Sequence, residues 1–382
     1  HVLVLSKPAN KLITNLSQYA SNSVNAVVLV SVTTMLAAFL NWGLGLIFGA
    51  ILARKVGEHA QRNNILINYP LIGASGYVGL MVWHGGISGS APIKVTESGH
   101  LASLMQGVSS EEIMAQLPLS VNFDATVFSW WNLLLFGILL VIIPYTLTRI
   151  AKSTKSTKIQ LEAYKFDEDT AKDIEGAEKL DFSNVLGIGF GIIILMAFVY
   201  QYWNNLLNLQ ITPNMLNFLM LGLAILLHKN FSNFLCAVEE AIKGTSGILI
   251  QFPLYFGIMG IMKSTGMVVM ISDFFASIAT PTTMPIFTFF SAGLVNIFVP
   301  SGGGQWAIQG PIVIESALKL GVSLPKAIMA LAYGDQITNM LQPFWALPLL
   351  GITKLKAKEI LPYTLILMCV GIAVYVLGLL FL

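Results

Sequence analysis

Two apolar runs, Val24 to Ala53 and Met284 to Ile314, are each interrupted near the middle by polar and glycine positions. Each run is about 30 residues, or roughly 45 Å as continuous helix, too long for one crossing of a roughly 30 Å hydrocarbon core and too short for two. The first break reads Asn41-Trp42-Gly43-Leu44-Gly45 and the second Pro300-Ser301-Gly302-Gly303-Gly304-Gln305. The pattern predicts re-entrant helical hairpins over 24–60 and 281–318. Their tips would sit near mid-membrane, where bare backbone is tolerated only if it is buried in protein or lines a cavity.

Each run is followed by a long segment broken by small and polar residues. The first contains Ala74-Ser75-Gly76 and Trp83-His84-Gly85-Gly86-Ile87-Ser88-Gly89-Ser90; the second contains Ala332-Tyr333-Gly334-Asp335-Gln336 and Asn339 to Trp345. These predict discontinuous transmembrane helices over 65–93 and 326–352. Further spans are expected at 127–148, 184–203, 213–228, 244–265 and 362–382, giving seven crossings outside the two long runs. The fold class is an all-α polytopic membrane protein. Composition agrees, with 55% hydrophobic and 10% charged residues against roughly 25% charged in soluble domains. A net charge of +2 with dispersed Lys and Arg leaves no basic stripe for nucleic acid. Cys236 and Cys369 lie far apart, without metal-ligand or redox spacing. The chain opens at His1 with no recognisable signal peptide, so its start reads as missing rather than processed.

Charge sets the orientation. The segment from Arg149 to Asp181 begins with the purely basic series Arg149, Lys152, Lys155 and Lys158, and a second basic loop holds Lys354, Lys356 and Lys358. Both are expected in the cytoplasm by the positive-inside tendency. Counting crossings outward from them, the first long run enters and leaves on the cytoplasmic side and the second on the outer side. Gly43 to Gly76 spans 33 residues and Gly302 to Gly334 spans 32, so hairpin and broken helix recur at matched spacing. The reading is of two inverted-topology repeats, as in secondary transporters that hold substrate and coupling ions where broken helices meet. The first repeat covers 1–148, a charged cytoplasmic linker 149–181, a connecting helix 182–212 and the second repeat 213–382. Amphipathic pieces precede the hairpins at Lys7 to Tyr19 and Met267 to Thr280. The symmetry places roughly two further crossings ahead of His1.

Asp335 is the acidic residue that stands out deep in apolar sequence. An intramembrane carboxylate costs roughly 3 kcal/mol on insertion scales, so it is a candidate for proton carriage or cation coordination, with a structural acid bonded to nearby amides as the alternative. Gln336, Thr338, Asn339 and Gln342 supply polar partners, and with Pro343 they mark an unwound stretch. At the tips, free amides at helix N-termini attract anions and free carbonyls at C-termini attract cations, including sodium. His84 could bond a carboxylate, relay a proton, or be an outer-leaflet histidine satisfied by backbone, the last being favoured. Of Trp42, Trp83, Trp306 and Trp345, the two beside the tips, Trp42 and Trp306, are expected near the site. No Lys or Arg falls at the tips or breaks, which suits a small monocarboxylate better than a polyanion.

These residues resemble the short-chain fatty acid transporter family. The resemblance is carried by Asn41-Trp42-Gly43-Leu44-Gly45, Gly86 to Ser90, Leu227-His228-Lys229, Gly247 to Pro253, Val299 to Trp306, Gln309-Gly310-Pro311, Ala332 to Gln336 and Gln342 to Pro348. It spans essentially the whole chain. It implies uptake of acids such as acetoacetate or butyrate across a bacterial inner membrane, and kinship with ion transporters whose hairpin-bearing repeats move as an elevator against a scaffold, which pairs as a homodimer. The family pattern has glutamate where Asp335 stands and glycine where His84 stands, so the acid is kept while His84 has no family-wide role.

The expected substrate-binding residues are Asn41, Trp42, Gly43, Ser88, Ser90, Ser301, Gly302, Gly303, Gly304, Gln305, Trp306, Asn339 and Gln342. Asp335, Gln336 and Thr338 are expected to couple transport to protons or sodium, with no organic cofactor. The expected partners are the monocarboxylate and the lipid bilayer. A channel for small acids or neutral solutes is the competing class. An intramembrane enzyme is weaker, since no Ser-Lys, Ser-His, zincin or paired-aspartate arrangement occurs in facing positions.

Overall fold

The computed structural model describes residues 1–106, 110–161, 175–207 and 211–382 and is helical throughout, apart from one isolated bridge between Ile67 and Thr157. Its first part comprises α1 (Val2–Leu5), α2 (Lys7–Ser17), α3 (Ser23–Leu40) and α4 (Trp42–Arg62). Next come α5 (Tyr69–Ser75), two single turns at Val78–Met81 and Trp83–Gly85, and the short α6 (Ser90–Lys94), α7 (His100–Met105) and α8 (Glu111–Met114). Then follow α9 (Trp130–Ser153), α10 (Asn184–Leu207), α11 (Pro213–His228), α12 (Phe231–Ser264) and α13 (Met267–Ser277). The chain closes with α14 (Met284–Phe298), α15 (Gly302–Lys319), α16 (Leu324–Thr338), a turn at Asn339–Leu341, α17 (Pro343–Thr353) and α18 (Ala357–Phe381).

Capping chemistry sets the two central interruptions. Asn41 is extended, ends α3 by donating its N–H to Ala37 O, and starts α4 by accepting the Leu44 N–H on its side chain at 2.9 Å. One residue therefore serves both helix ends, so the chain reverses within a single extended position. In the second run, α14 stops at Phe298, and Ser301 caps α15 by accepting the Gly304 N–H at 3.3 Å. Either helix pair packs along itself. A Cβ at Gly45 would lie 2.4 Å from that of Ala38, while Gln305 Nε2 on α15 donates to Ala292 O on α14 at 2.8 Å.

One difference from the sequence reading has a physical cause. Gln336 and Thr338 lie in regular helix, not in an unwound stretch, because α16 persists to Thr338. The break is confined to Asn339–Gln342, where Pro343 disfavours helical geometry at Gln342, which adopts φ −92° and ψ 105°. Among the described residues, four helices are each long and apolar enough to span a membrane on their own, α3, α9, α10 and α18. The apolar α11, α14 and α17 are shorter, and α3 belongs to the first long run. The chain is a membrane protein. Of the charged linker 149–181, residues 162–174 lie outside those described; its beginning docks on the base of α3 and α4. There Ser156 Oγ meets Ser23 Oγ at 2.8 Å, and the Leu161 N–H donates to Gln61 Oε1.

The largest core cluster joins α3, α4 and α5 to α9 and to α16, α17 and α18. A second packs α6, α7 and α8 against α15 and α16. The interrupted segments, α5 to α6 and α16 to α17, run through this interior, so their freed backbone groups must find protein partners. They do so from neighbouring helices. Tyr77 OH donates to the Asn339 and Gln342 carbonyls, Tyr375 OH on α18 to Met81 O, and Asn132 Nδ2 on α9 to Gly85 O.

Candidate functional site

The two helix reversals and the two interrupted segments meet at one cavity of about 180 Å³. Trp42 at the first reversal, Ser301, Gly302 and Gly303 at the second, Leu80, Trp83 and Ser90 from the first interrupted segment, and Asn339 and Trp345 from the second line it. Its size is roughly that of six waters at about 30 Å³ each, and below the roughly 300 Å³ at which pockets for drug-sized ligands begin.

The walls divide into an aromatic part and a polar part. Trp42 meets Trp345 edge to face at 5.3 Å between ring centroids and Trp83 at 6.2 Å. Opposite chemistry comes from the start of α15. Ser301 takes the Gly304 N–H, which leaves the first-turn N–H groups of Gly302 and Gly303 without intrahelical acceptors at the positive end of an 18-residue helix. Glycine has two different reasons to be here. A Cβ at Gly302 would come within 2.8 Å of His84 Cε1 and 3.0 Å of the Trp83 ring, whereas one at Gly303 would meet nothing within 4 Å. Gly302 thus permits contact with the interrupted segment, and Gly303 leaves its backbone open to the cavity.

Behind this wall is a buried pair. His84 Nδ1 bonds Asp335 Oδ2, and both side chains are essentially inaccessible, at 0% and 1%. His84 Nε2 accepts the Ala91 N–H at 3.0 Å, and Gln336 Oε1 accepts the N–H groups of His84 and Gly85 at 2.7 and 3.1 Å. Gln336 Nε2 donates onward to Tyr375 OH. His84 is therefore a carboxylate partner in the interior, not an outer-leaflet residue satisfied by backbone alone. Sequence periodicity could not find this pair, since the partners are 251 positions apart.

Asn296 ties α14 to the second break. Its Nδ2 lies within hydrogen-bond distance of Asp335 O, Thr338 Oγ1 and Asn339 Oδ1, while its carbonyl accepts Gln342 Nε2 at 2.6 Å. The signal for it was available, as an amide in the mostly apolar α14.

Of the residues expected at the site, Trp42, Ser90, Ser301, Gly302, Gly303 and Asn339 line the cavity. Ser88 instead accepts the Trp42 N–H at 2.9 Å and fixes the first reversal. Asn41 and Gly43 line a neighbouring, mostly apolar hollow with His1 and Met220. Gln305 is fully buried against α14, and Gln342 holds Asn296. Trp306 is absent from the cavity lining: one turn into α15, its Nε1 donates to His100 Nε2 on α7 at 3.0 Å. Burial pushes His100 below the ordinary imidazole value, with Lys94 acting the same way and Glu97 opposing. Trp83 and Trp345 take the place expected of Trp306.

The family model for short chain fatty acid transporters matches residues 1–382. The chain belongs to this family. Proteins provisionally named short-chain fatty acid transporters are similar along its length. That of Escherichia coli (strain K12) is 35% identical over 99% of this chain and 83% of the relative, and that of Haemophilus influenzae (strain ATCC 51907 / DSM 11121 / KW20 / Rd) is 34% identical over 100% and 84%. Among solved structures, Neisseria gonorrhoeae MtrF, reported as illuminating a class of antimetabolite efflux pumps, aligns over 98% of this chain and 81% of its own at 16% identity. Its TM-score of 0.37 is too low to carry any argument. Family membership makes the chain a transporter.

Proposed function

We propose that the chain is a secondary active carrier of short-chain monocarboxylates such as butyrate and acetoacetate, coupled to protons or sodium, in the inner membrane of a bacterium. One observation carries this reading: a small cavity lined both by tryptophans and by the N-terminus of α15. A carboxylate matches the free N–H groups of Gly302 and Gly303, and a short alkyl chain matches Trp42, Trp83 and Trp345. No Lys or Arg lines the cavity, which disfavours multiply charged anions.

In this reading α3–α4 and α14–α15 are re-entrant hairpins, and each forms an inverted repeat with the interrupted segment that follows it. The substrate is enclosed by both hairpins and both breaks. Rigid-body movement of this unit against a scaffold that includes α10 and α12 would switch access from one side to the other. Exposed apolar residues on those helices, Phe190, Ile193 and Tyr200 on α10 and Leu249, Leu254 and Ile261 on α12, suit lipid or a scaffold homodimer.

Counterflow in proteoliposomes tests the carrier. Vesicles loaded with unlabelled acetoacetate should take up labelled acetoacetate transiently, saturably and faster than protein-free vesicles. Initial rates are needed because protonated short acids also cross lipid unaided. Flux that does not saturate, or does not exceed the protein-free rate, would sink the proposal.

A further inference from the structure

We infer that Asp335 Oδ1 is the site that takes up the coupling proton, with His84 as the positioning residue that fixes the other carboxylate oxygen. The inference rests on the carrier reading above and narrows its coupling ion.

The hydrogen bonds decide where a proton can go. Ala91 N–H donates to His84 Nε2 at 3.0 Å, so Nε2 carries a lone pair and the ring proton sits on Nδ1, aimed at Asp335 Oδ2. An imidazolium would set a second N–H against that of Ala91. A proton arriving at the pair therefore goes to the carboxylate, where Oδ2 is already taken. Asp335 Oδ1 is buried and has no hydrogen-bond partner.

Among the described residues, no Lys or Arg bonds either partner. The titratable groups beside the pair are Tyr333 on α16 and Tyr375 on α18, whose hydroxyl protons are donated to Asn132 Oδ1 and Met81 O. From α14 comes the Asn296 amide, and from α15 the bare Gly302. With the ring proton on Nδ1, an ionised Asp335 leaves the pair at −1 with Oδ1 unpartnered, and a proton on Oδ1 makes the pair neutral.

A metal cation is served less well. Hard cations gather about six oxygens, yet Gln336 Oε1, Thr338 Oγ1 and Asn339 Oδ1 are each already occupied by donors. Gln305 and Gln342 each retain an oxygen without a donor. Their amide nitrogens are fixed one turn apart on α14, at Ala292 O and Asn296 O. A proton needs one oxygen, which Asp335 offers.

The site is one side chain behind the cavity. Trp83 lines the cavity and stacks on His84 at 4.5 Å, and Gly302 lies against His84 Cε1. A negative pair here repels an anion bound at the Gly302 and Gly303 N–H groups, and a neutral pair does not. Proton and monocarboxylate therefore favour each other's binding, reciprocally, as coupling requires.

The Trp83 stack provides a readout without substrate. Tryptophan emission of the purified full chain carrying His100→Gln, the background for every variant here because His100 titrates against Trp306, should give a pH transition that Asp335→Asn lacks. Removing the hydrogen bond to the charged form by His84→Ala should raise the apparent proton affinity about tenfold, moving the midpoint up by about one pH unit. His84→Asn, which restores an N–H near the Nδ1 position, should bring it back toward wild type. If Asp335→Asn does not fold, the His84→Ala shift carries the test. In sodium-free proteoliposomes an inward proton gradient should raise the initial rate of saturable acetoacetate uptake. A wild-type transition in Asp335→Asn, an unmoved midpoint in His84→Ala, or uptake driven by sodium alone at clamped pH would each overturn the assignment. The expected transitions without saturable flux of any monocarboxylate would keep the proton site and sink the carrier reading.

Discussion

Trp306 is held by a single acceptor, His100 Nε2, and that acceptor is titratable. Burial lowers His100 in the folded chain, so folding favours the neutral ring. The sign follows. The contribution is fully present above the ordinary imidazole value of about 6.5 and is lost as pH falls through the lowered folded value, when Nε2 gains a proton and cannot accept. His100→Gln keeps an acceptor near Nε2 without the titration. The thermal midpoint of the wild type should therefore fall further between pH 7.5 and 5 than that of His100→Gln, in scans of detergent-solubilised protein. Equal falls would show that His100 does not hold Trp306 through its neutral form. Trp306 also marks a limit of sequence reading. Its position beside the glycine break was legible, but one turn of helix, roughly 6 Å along the axis, carries it from the cavity to α7. Of the tryptophans that line the cavity, Trp42 was legible at its tip, whereas Trp83 and Trp345 come from segments whose proximity only the tertiary fold creates.

Among the elements, the tightest fit is that of α16 on α14. A Cβ at Gly334 would lie 2.1 Å from Phe289 O, a backbone atom that cannot turn aside. Gly49 on α4 stands in the same relation to the Gly76 carbonyl at the end of α5, at 2.2 Å. In both cases glycine lets a helix of the reversal touch the backbone of the interrupted segment. Gly334→Ala should lower stability by about 1–3 kcal/mol, the usual cost of overpacking, and should move Asp335 away from His84. Gly137→Ala on α9, where an added Cβ meets nothing within 4 Å, is the matched control. A thermal midpoint for Gly334→Ala equal to that of the control would contradict the close approach. The glycines at these places were conspicuous in the sequence, and so were the interruptions at Asn41 and Ser301. What the pattern misjudged was the length of the second break, because polar residues at Gln336 and Thr338 looked like exposed backbone. They instead bond to the Trp83–Gly85 turn and to Asn296 while remaining helical.

For the molecule as a whole, the open question is whether the two reversals enter from opposite faces. Loop charge argues that they do, since the Arg149 to Lys158 series and the Lys354 to Lys358 series cannot both be cytoplasmic if the second run is a simple crossing. Helix length alone does not decide it. At 18 residues and roughly 27 Å, α3 would nearly span the hydrocarbon core by itself. Single cysteines at the far ends of the two pairs separate the alternatives. Asn63 follows α4 and Ser323 precedes α16, both exposed. In a background with Cys236 and Cys369 replaced by alanine, a membrane-impermeant maleimide added to oriented vesicles should label Asn63→Cys only from the cytoplasmic face and Ser323→Cys only from the outer face. Labelling of both from one face would abolish the inverted relation between the hairpins. The cavity would then lose its symmetrical enclosure, and an elevator would no longer follow from it. Labelling from opposite faces would place the starts of α4 and α15, which meet at one cavity, at the ends of hairpins entering from the two sides. A single enclosed site must then change its exposure by movement of the surrounding unit, because neither hairpin alone offers a continuous path across the membrane.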